Sequence, residues 1–133
     1  MIHETASFHG MPNVGECVDI GKNTKIGHNV FIGNFVKIGD NCNIQGNVFI
    51  PEGVIIKNNV FVGPCAVFTN TRDFDNIGKH KFDSTIVKDN VIIGANATIV
   101  CGITIWENAR IAAGSVVTKD VDENQTVKGN PAR

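Results

Sequence analysis

The sequence predicts an all-β protein: one domain of three-sided coils stacked as a parallel β-helix, with a single extruded loop. Three observations carry this. First, an aliphatic residue returns every sixth position from Val14 through Ile20, Ile26, Ile32, Ile38, Ile44, Ile50, Ile56 and Val62 to Phe68. The rhythm resumes at Val87, Ile93, Ile99, Ile105, Ile111 and Val117. Second, a small or β-branched residue follows each aliphatic by four places, as in Val18, Thr24, Val30, Val36 and Cys42. Third, Asn or Gly recurs three places after the aliphatic, at Asn23, Asn29, Asn41, Asn47, Gly53, Asn59, Asn90, Asn96, Gly102, Asn108 and Gly114.

A period of six fits neither a helix nor a long alternating strand. Fixed short periods mark repeat architectures. Asn and Gly enter left-handed backbone space at low energy, so each hexad reads as a short strand followed by a corner. Three hexads close one coil. Coils stacked at sheet spacing, about 4.8 Å apart, pile the aliphatics into ladders down the axis.

The chain of 133 residues makes one domain. A net charge of −1 argues against nucleic acid or an anionic membrane as partner. The polar start, with His3, Glu4 and His9, is unlike a signal peptide, and no apolar run is long enough to span a bilayer. A cytoplasmic location is expected. The four cysteines, Cys17, Cys42, Cys65 and Cys101, form no C-x-x-C pair and read as reduced structural thiols.

Along the chain, residues 1–13 are expected to lead into the helix and cap its open end, since an open β-edge invites polymerisation. Residues 14–68 give about three coils, with Pro51 and Pro64 at corners where a missing N–H is tolerated. Residues 69–86 break the rhythm with Arg72, Asp73, Asp75, Lys79, His80, Lys81 and Asp83. So long a loop in a regular solenoid is uncommon and usually functional, and its Phe74, Ile77 and Phe82 need something to pack on, such as a neighbouring subunit. Residues 87–133 give the C-terminal coils and tail, with Val127 as the last inward side chain. Outward aromatics at Phe31, Phe35, Phe49, Phe61 and Trp106 suggest a buried interface.

The segments I-G-K-N-T-K, I-G-H-N-V-F, I-G-N-F-V-K and I-G-A-N-A-T resemble the hexapeptide-repeat, left-handed β-helix acyltransferases. The left hand comes from that resemblance, since the general rule for parallel crossovers favours the right. The order G-P-C-A-V-F-T-N, a charged loop, then G-A-N-A-T-I-V-C-G-I-T-I is similar to the N-acetyltransferases of nucleotide-linked 3-amino sugars. I-Q-G-N-V-F-I-P-E-G-V and the ending G-S-V-V-T-K-D-V…V-K-G-N-P-A-R add to it. The resemblance implies an acetyl-CoA-dependent enzyme of surface polysaccharide synthesis. It acts on a UDP- or dTDP-linked amino sugar and forms a homotrimer with sites between subunits. The C3 amine is expected, because relatives acting at C4 usually carry an additional N-terminal α/β domain.

The same resemblance places Asn70, the Asn of F-T-N, beside the reacting amine, where an amide oxygen can accept an N–H bond at near-attack distance. A His-Pro base, usual in the sugar O-acetyltransferases, is replaced at the matching place by Arg72-Asp73. That favours an amine, which can attack unaided, over a hydroxyl, which needs a base. His28 and His80 remain candidate catalytic groups, with Asp73 and Asp75 behind them. Small residues such as Ala95 and Ala113 would let an extended pantetheine arm approach the backbone, and backbone N–H groups there would hold the oxyanion. Lys119 would meet the CoA phosphates, and Arg72 and Lys79 the substrate's diphosphate or a sugar carboxylate. The four histidines, His3, His9, His28 and His80, lack the spacing of a zinc site, so no metal is expected. The rival functions are an O-acetyltransferase of a small sugar or amino acid, and a non-catalytic trimeric scaffold.

Overall fold

The computed structural model describes residues 1–72, 75 and 83–133. Its described strands are two residues long and all pair in parallel, so the chain forms a left-handed β-helix of about six turns. Seven, six and five strands make up the three sheets. Each sheet is one face of a prism. The first face carries the inward ladder Phe8, Ile26, Ile44, Val62, Ile93, Ile111 and Val127. The second carries Val14, Ile32, Ile50, Phe68, Ile99 and Val117. The third carries Ile20, Ile38, Ile56, Val87 and Ile105, with Ile2 and Val121 bridged on at its ends.

From Ile20 to Val127 these ladder residues are buried and form one continuous apolar core. Each buried aliphatic contributes roughly 1.5–3 kcal/mol. Residues 1–13, expected to be a capping lead-in, instead build the first coil. Ser7–Phe8 pairs with Lys25–Ile26, Asn13–Val14 pairs with Phe31–Ile32, and Ile2 bridges to Ile20. The reason is already in the period: Ile2 and Phe8 continue the six-residue spacing backwards from Val14.

The corners are left-handed, as the Asn and Gly positions predict. Asn23, Asn29, Asn41, Asn47, Asn59, Asn90, Asn96 and Asn108 all have φ between 56° and 64°. Three further corners use residues that avoid this region: Cys17 (φ 55°), Phe35 (φ 61°) and Cys65 (φ 64°). There the coil dictates the backbone and the side chain is carried along against its preference. Cys42 faces inward as expected. Its thiol donates to the Lys57 carbonyl at 3.0 Å, and burial pushes its pKa up.

A left-handed backbone strains an L residue with a Cβ by about 1–2 kcal/mol, and Asn tolerates it better. Phe35 is 55% exposed, so little packing holds it. Phe35→Asn is therefore expected to raise stability by about 1 kcal/mol. A urea unfolding midpoint that stays put or falls would contradict the strain argument.

Candidate active site

Main-chain bonding fixes what stacks on what. The carbonyl of each inward aliphatic accepts from the residue that opens the corner one coil below. Gly15 N–H donates to Ile32 at 2.8 Å, Gly33 N–H to Ile50 at 2.8 Å and Thr69 N–H to Ile99 at 3.0 Å. The same scheme would have residue 51 donate to Phe68, but Pro51 has no N–H. Accordingly only Val67, and not Phe68, is registered against the strand below, and the Phe68 carbonyl has no donor among the described residues. The missing N–H is thus more than tolerated. It opens the seam at the rung from which the chain departs.

The departure lies on the edge between the second and third faces. Partners on adjacent coils are 18 residues apart below it and 31 across it. Its neck is clamped to the coil above. Cys101 N–H donates to Thr69 Oγ1 at 3.0 Å and Gly102 N–H to Thr85 Oγ1 at 3.2 Å. Asp83 N–H donates to the Asn70 carbonyl at 3.2 Å, closing the base of the excursion. The Arg72 guanidinium is turned back onto the prism, where Nη2 donates to the carbonyls of Cys101 (2.7 Å) and Thr118 (3.4 Å). The sequence pointed Arg72 at a substrate phosphate; its observed bonds are a clamp. Cys101 is buried under this neck, its Sγ 3.7 Å from Asp83 Oδ2.

Beneath the neck lies a groove of about 340 Å³, lined by Asn70, Glu52, Pro51, Asn34, Gly33, Gly15, Asn13, Ile32, Phe31 and Phe49. One wall is the aromatic pair Phe31–Phe49, stacked 4.9 Å apart at 10°. The coil offset places Asn34, Glu52 and Asn70 in one column. Gly33 is needed there, since a Cβ on it would lie 2.6 Å from the Glu52 nitrogen.

Asn34 and Asn70 occupy equivalent places and behave differently. Asn34 Oδ1 accepts the Glu16 N–H one coil below at 2.8 Å. Similar bonds run up the next edge, from Lys22 to Asp40, Asp40 to Asn58 and Asn58 to Asp89. The matching bond from Glu52 N–H to Asn70 is not made, and the Asn70 carboxamide has no partner among the described residues. A residue that only turned the chain would be expected to join the ladder.

The remaining candidates fall elsewhere. His28 lies on the edge between the first and second faces, in a separate groove with His9, Lys25, Asn43, Gln45 and Gly46, its ring 5.8 Å from that of His9. Ala95 and Ala113 stack on that same edge, brought close because Gly94 carries no Cβ against the Ala113 backbone. Lys119 follows Thr118 on the Asn70 edge and is exposed. Within one chain, then, Asn70 and Lys119 share one edge, while His28, Ala95 and Ala113 share another, with the second face between them. Lys79, His80 and Asp73 lie outside the described residues, as do Phe74, Ile77 and Phe82; Asp75 is exposed. Among the described residues, no three His, Cys, Asp or Glu side chains converge as a metal site requires, and no helix is long and apolar enough to cross a membrane. Glu52 was missed in the sequence, where P-E-G reads only as a corner.

Sequence comparison matches residues 17–52 and 35–70 to the bacterial transferase hexapeptide (six repeats) family, and residues 84–119 to the hexapeptide repeat of succinyl-transferase. The chain belongs to the hexapeptide-repeat transferase family. Among curated family members, the bifunctional protein GlmU of Psychrobacter sp. is 44% identical over 59 residues, covering 44% of this chain and 12% of that protein. The dTDP-3-amino-3,6-dideoxy-alpha-D-galactopyranose 3-N-acetyltransferase of Aneurinibacillus thermoaerophilus is 52% identical over 52 residues, covering 39% of this chain and 27% of that protein. The matched segments therefore span 12% and 27% of these relatives, less than a third of either. Among solved structures, PerB from Caulobacter crescentus, in complex with CoA and GDP-perosamine, superposes with a TM-score of 0.76 at 20% identity. The superposition covers 99% of this chain and 55% of PerB and shows a shared fold.

The clamp makes a prediction about thiols. Native protein should lose Cys17 and Cys65 quickly to an alkylating reagent, and Cys42 and Cys101 only on unfolding. A hydrogen bond from a charged donor contributes about 1.5–3 kcal/mol, so Arg72→Ala should speed alkylation of Cys101 at least ~10-fold and leave Cys42 alone. Equal protection of Cys101 in both proteins, read by peptide mass mapping, would remove Arg72 from the neck.

Proposed function

We propose that this protein is an acetyl-CoA-dependent N-acetyltransferase acting on the amino group of a nucleotide-linked sugar. The observation that carries the reading is the Asn70 carboxamide. It stands without a partner among the described residues, in an outward groove, where a broken rung lets the chain leave the prism. The family membership supports acyl transfer. The 3-N-acetyltransferase relative supports a dTDP-linked amine at C3, and PerB, of the same fold, holds CoA and a nucleotide-linked sugar.

In this mechanism Asn70 Oδ1 accepts an N–H of the amine and holds the nitrogen's lone pair toward the thioester carbonyl. Acetyl-CoA lies along the small residues of the Ala95–Ala113 edge, and backbone N–H groups there stabilise the oxyanion. The nitrogen–carbon bond forms, the carbon–sulfur bond breaks and CoA leaves as the thiol. Lys119, on the Asn70 edge, supplies positive charge for the CoA phosphates, and Arg72 and Lys79 are the candidates for the substrate's diphosphate or a sugar carboxylate. The amine and thioester subsites lie on different edges of one prism, so we place the complete site between copies in a homotrimer. The outward Phe31, Phe49 and Val67 of the second face, each more than a third exposed, suit such a contact. The setting is surface polysaccharide synthesis in the cytoplasm.

The test is thiol release from acetyl-CoA against a panel of UDP- and dTDP-linked amino sugars and their hydroxyl counterparts. Turnover is expected with an amine and not with the matching hydroxyl. Asn70→Ala should lower kcat about 100-fold, the order of loss for a misplaced nucleophile. Turnover confined to hydroxyl acceptors, abolished by His28→Ala or His80→Ala, would make the protein an O-acetyltransferase. Absence of acetyl-CoA binding by calorimetry would leave a scaffold.

A further inference from the structure

We propose that the groove of His9 and His28, on the edge between the first and second faces, is an anion site. It takes the diphosphate of a nucleotide-linked sugar whose amine is held by a neighbouring copy. This rests on the N-acetyltransferase reading and its trimer, and says where that substrate's charge is met. The first observation is the donor set. His9, Lys25, His28, Asn43 and Gln45 line a groove of about 340 Å³. The two imidazoles converge with ring centres 5.8 Å apart, tilted by 42°. Gly10 makes room for this: a Cβ there would lie 2.9 Å from His28 Nδ1. Gln45 Nε2 donates to Asn43 Oδ1 at 2.6 Å, which occupies the acceptor of Asn43 and leaves its NH2 group unspent. Lys25 makes no ion pair among the described residues.

The second observation is where the negative charge is not. The chain has 13 Asp and Glu residues and a net charge of −1. None of them falls at a sequence position of the first face, the second face or the edge joining the two. Glu16, Glu52 and Asp83 belong to the edge between the second and third faces. Asp40, Asp89 and Glu107 belong to the edge between the third and first. The imidazoles and the Lys25 ammonium therefore face solvent with no carboxylate beside them. A cleft lined by one sign of charge concentrates ligands of the other.

The third observation is height along the axis. Asn47 N–H donates to the His28 carbonyl at 2.8 Å and Cys65 N–H to the Gly46 carbonyl at 3.0 Å. His28 thus lies two coils below Pro64, whose coil also carries Asn70. At about 4.8 Å per coil, the groove is roughly 10 Å below the level of Asn70. Ala95 lies one coil above that level, since Asn96 N–H donates to the Pro64 carbonyl at 3.0 Å. A three-fold axis parallel to the prism sets equal heights of neighbouring edges against each other. The thioester edge then lies above the reacting plane and the His9–His28 groove below it. A sugar held by its amine in that plane extends its diphosphate downward, past the anomeric oxygen, into the groove. Two phosphates need more donors than Arg72 offers, because its Nη2 is bonded to two carbonyls at the neck. Imidazole, ammonium and carboxamide N–H groups supply them as charge-assisted hydrogen bonds.

The experiment uses whichever amino sugar of the panel releases most thiol with the unmodified protein. Lys25→Ala and His28→Ala should each raise its KM about tenfold, the loss of one charge-assisted hydrogen bond. Both should leave kcat and the KM for acetyl-CoA within about twofold. Lys22→Ala removes the same charge from another edge and should change none of the three. Unchanged KM for the amino sugar in both groove variants overturns the proposal and leaves the N-acetyltransferase reading intact. A rise in the KM for acetyl-CoA instead would give the groove to the diphosphate of CoA and also overturn it. A fall in kcat alone would put His28 in the chemistry, with the same consequence.

A second measurement needs no variant. Calorimetry on the unmodified protein should show UDP or dTDP binding at least about tenfold tighter than uridine or thymidine, with inorganic pyrophosphate competing. Equal affinities for diphosphate and bare nucleoside overturn the proposal by themselves. If no amino sugar turns over, the N-acetyltransferase reading falls. The groove is then judged by UDP and dTDP binding alone, which His28→Ala must weaken for the site to stand.

Discussion

A parallel coil bonded to its neighbour through main-chain groups has no freedom in register. Each inward aliphatic carbonyl is met by one N–H from the coil below, and a slip of one residue would turn every buried side chain outward. With the aliphatic core packed by that register, the chain has few places to do anything else. Chemistry is left to the corners, where side chains leave the prism, and to the one rung where the bond cannot form. Pro51 supplies that rung by lacking a hydrogen. The neck of the excursion, the groove and an Asn70 carboxamide without a partner among the described residues all sit next to it.

The neck shows how an irregular segment is anchored on a regular body. Thr69 and Thr85 use hydroxyl oxygens to accept the N–H groups of Cys101 and Gly102, and Arg72 covers two carbonyls farther along the same edge. These bonds satisfy backbone groups that the interrupted ladder would otherwise leave bare. They also hold Asn70 in place without using its side chain. Thr69 and Arg72 bond the chain to the prism, and the Asn70 side chain between them makes no such bond among the described residues.

Much of the fold was legible because it is periodic. The ladder from Ile20 to Val117 and the Asn corners could be read directly, since a period of six fits neither a helix nor a long alternating strand; the hand of the coil came from resemblance. What was missed is where periodic chemistry is absent from a periodic backbone. Cys17, Phe35 and Cys65 adopt left-handed corners although their side chains give no sign of it, because neighbouring coils impose the angle. The first coil was hidden because Ile2 and Phe8 stand among polar residues. At the site, Asn70 was legible through resemblance and Glu52 was not. The distance from residue 52 to residue 70 is one coil, which becomes meaningful only once the coil length is translated into a column. His28 was read as an outward corner residue that a trimer could bring to the loop cleft; within one chain it lies on a different edge from Asn70.

The account is tested most directly by a crystal structure with CoA and a nucleotide-linked amino sugar bound together. It predicts the sugar nitrogen within hydrogen-bond distance of Asn70 Oδ1, with the CoA sulfur approaching from a neighbouring copy's Ala95–Ala113 edge. A sugar bound instead in the groove of His9 and His28, with Asn70 facing only water, would contradict it.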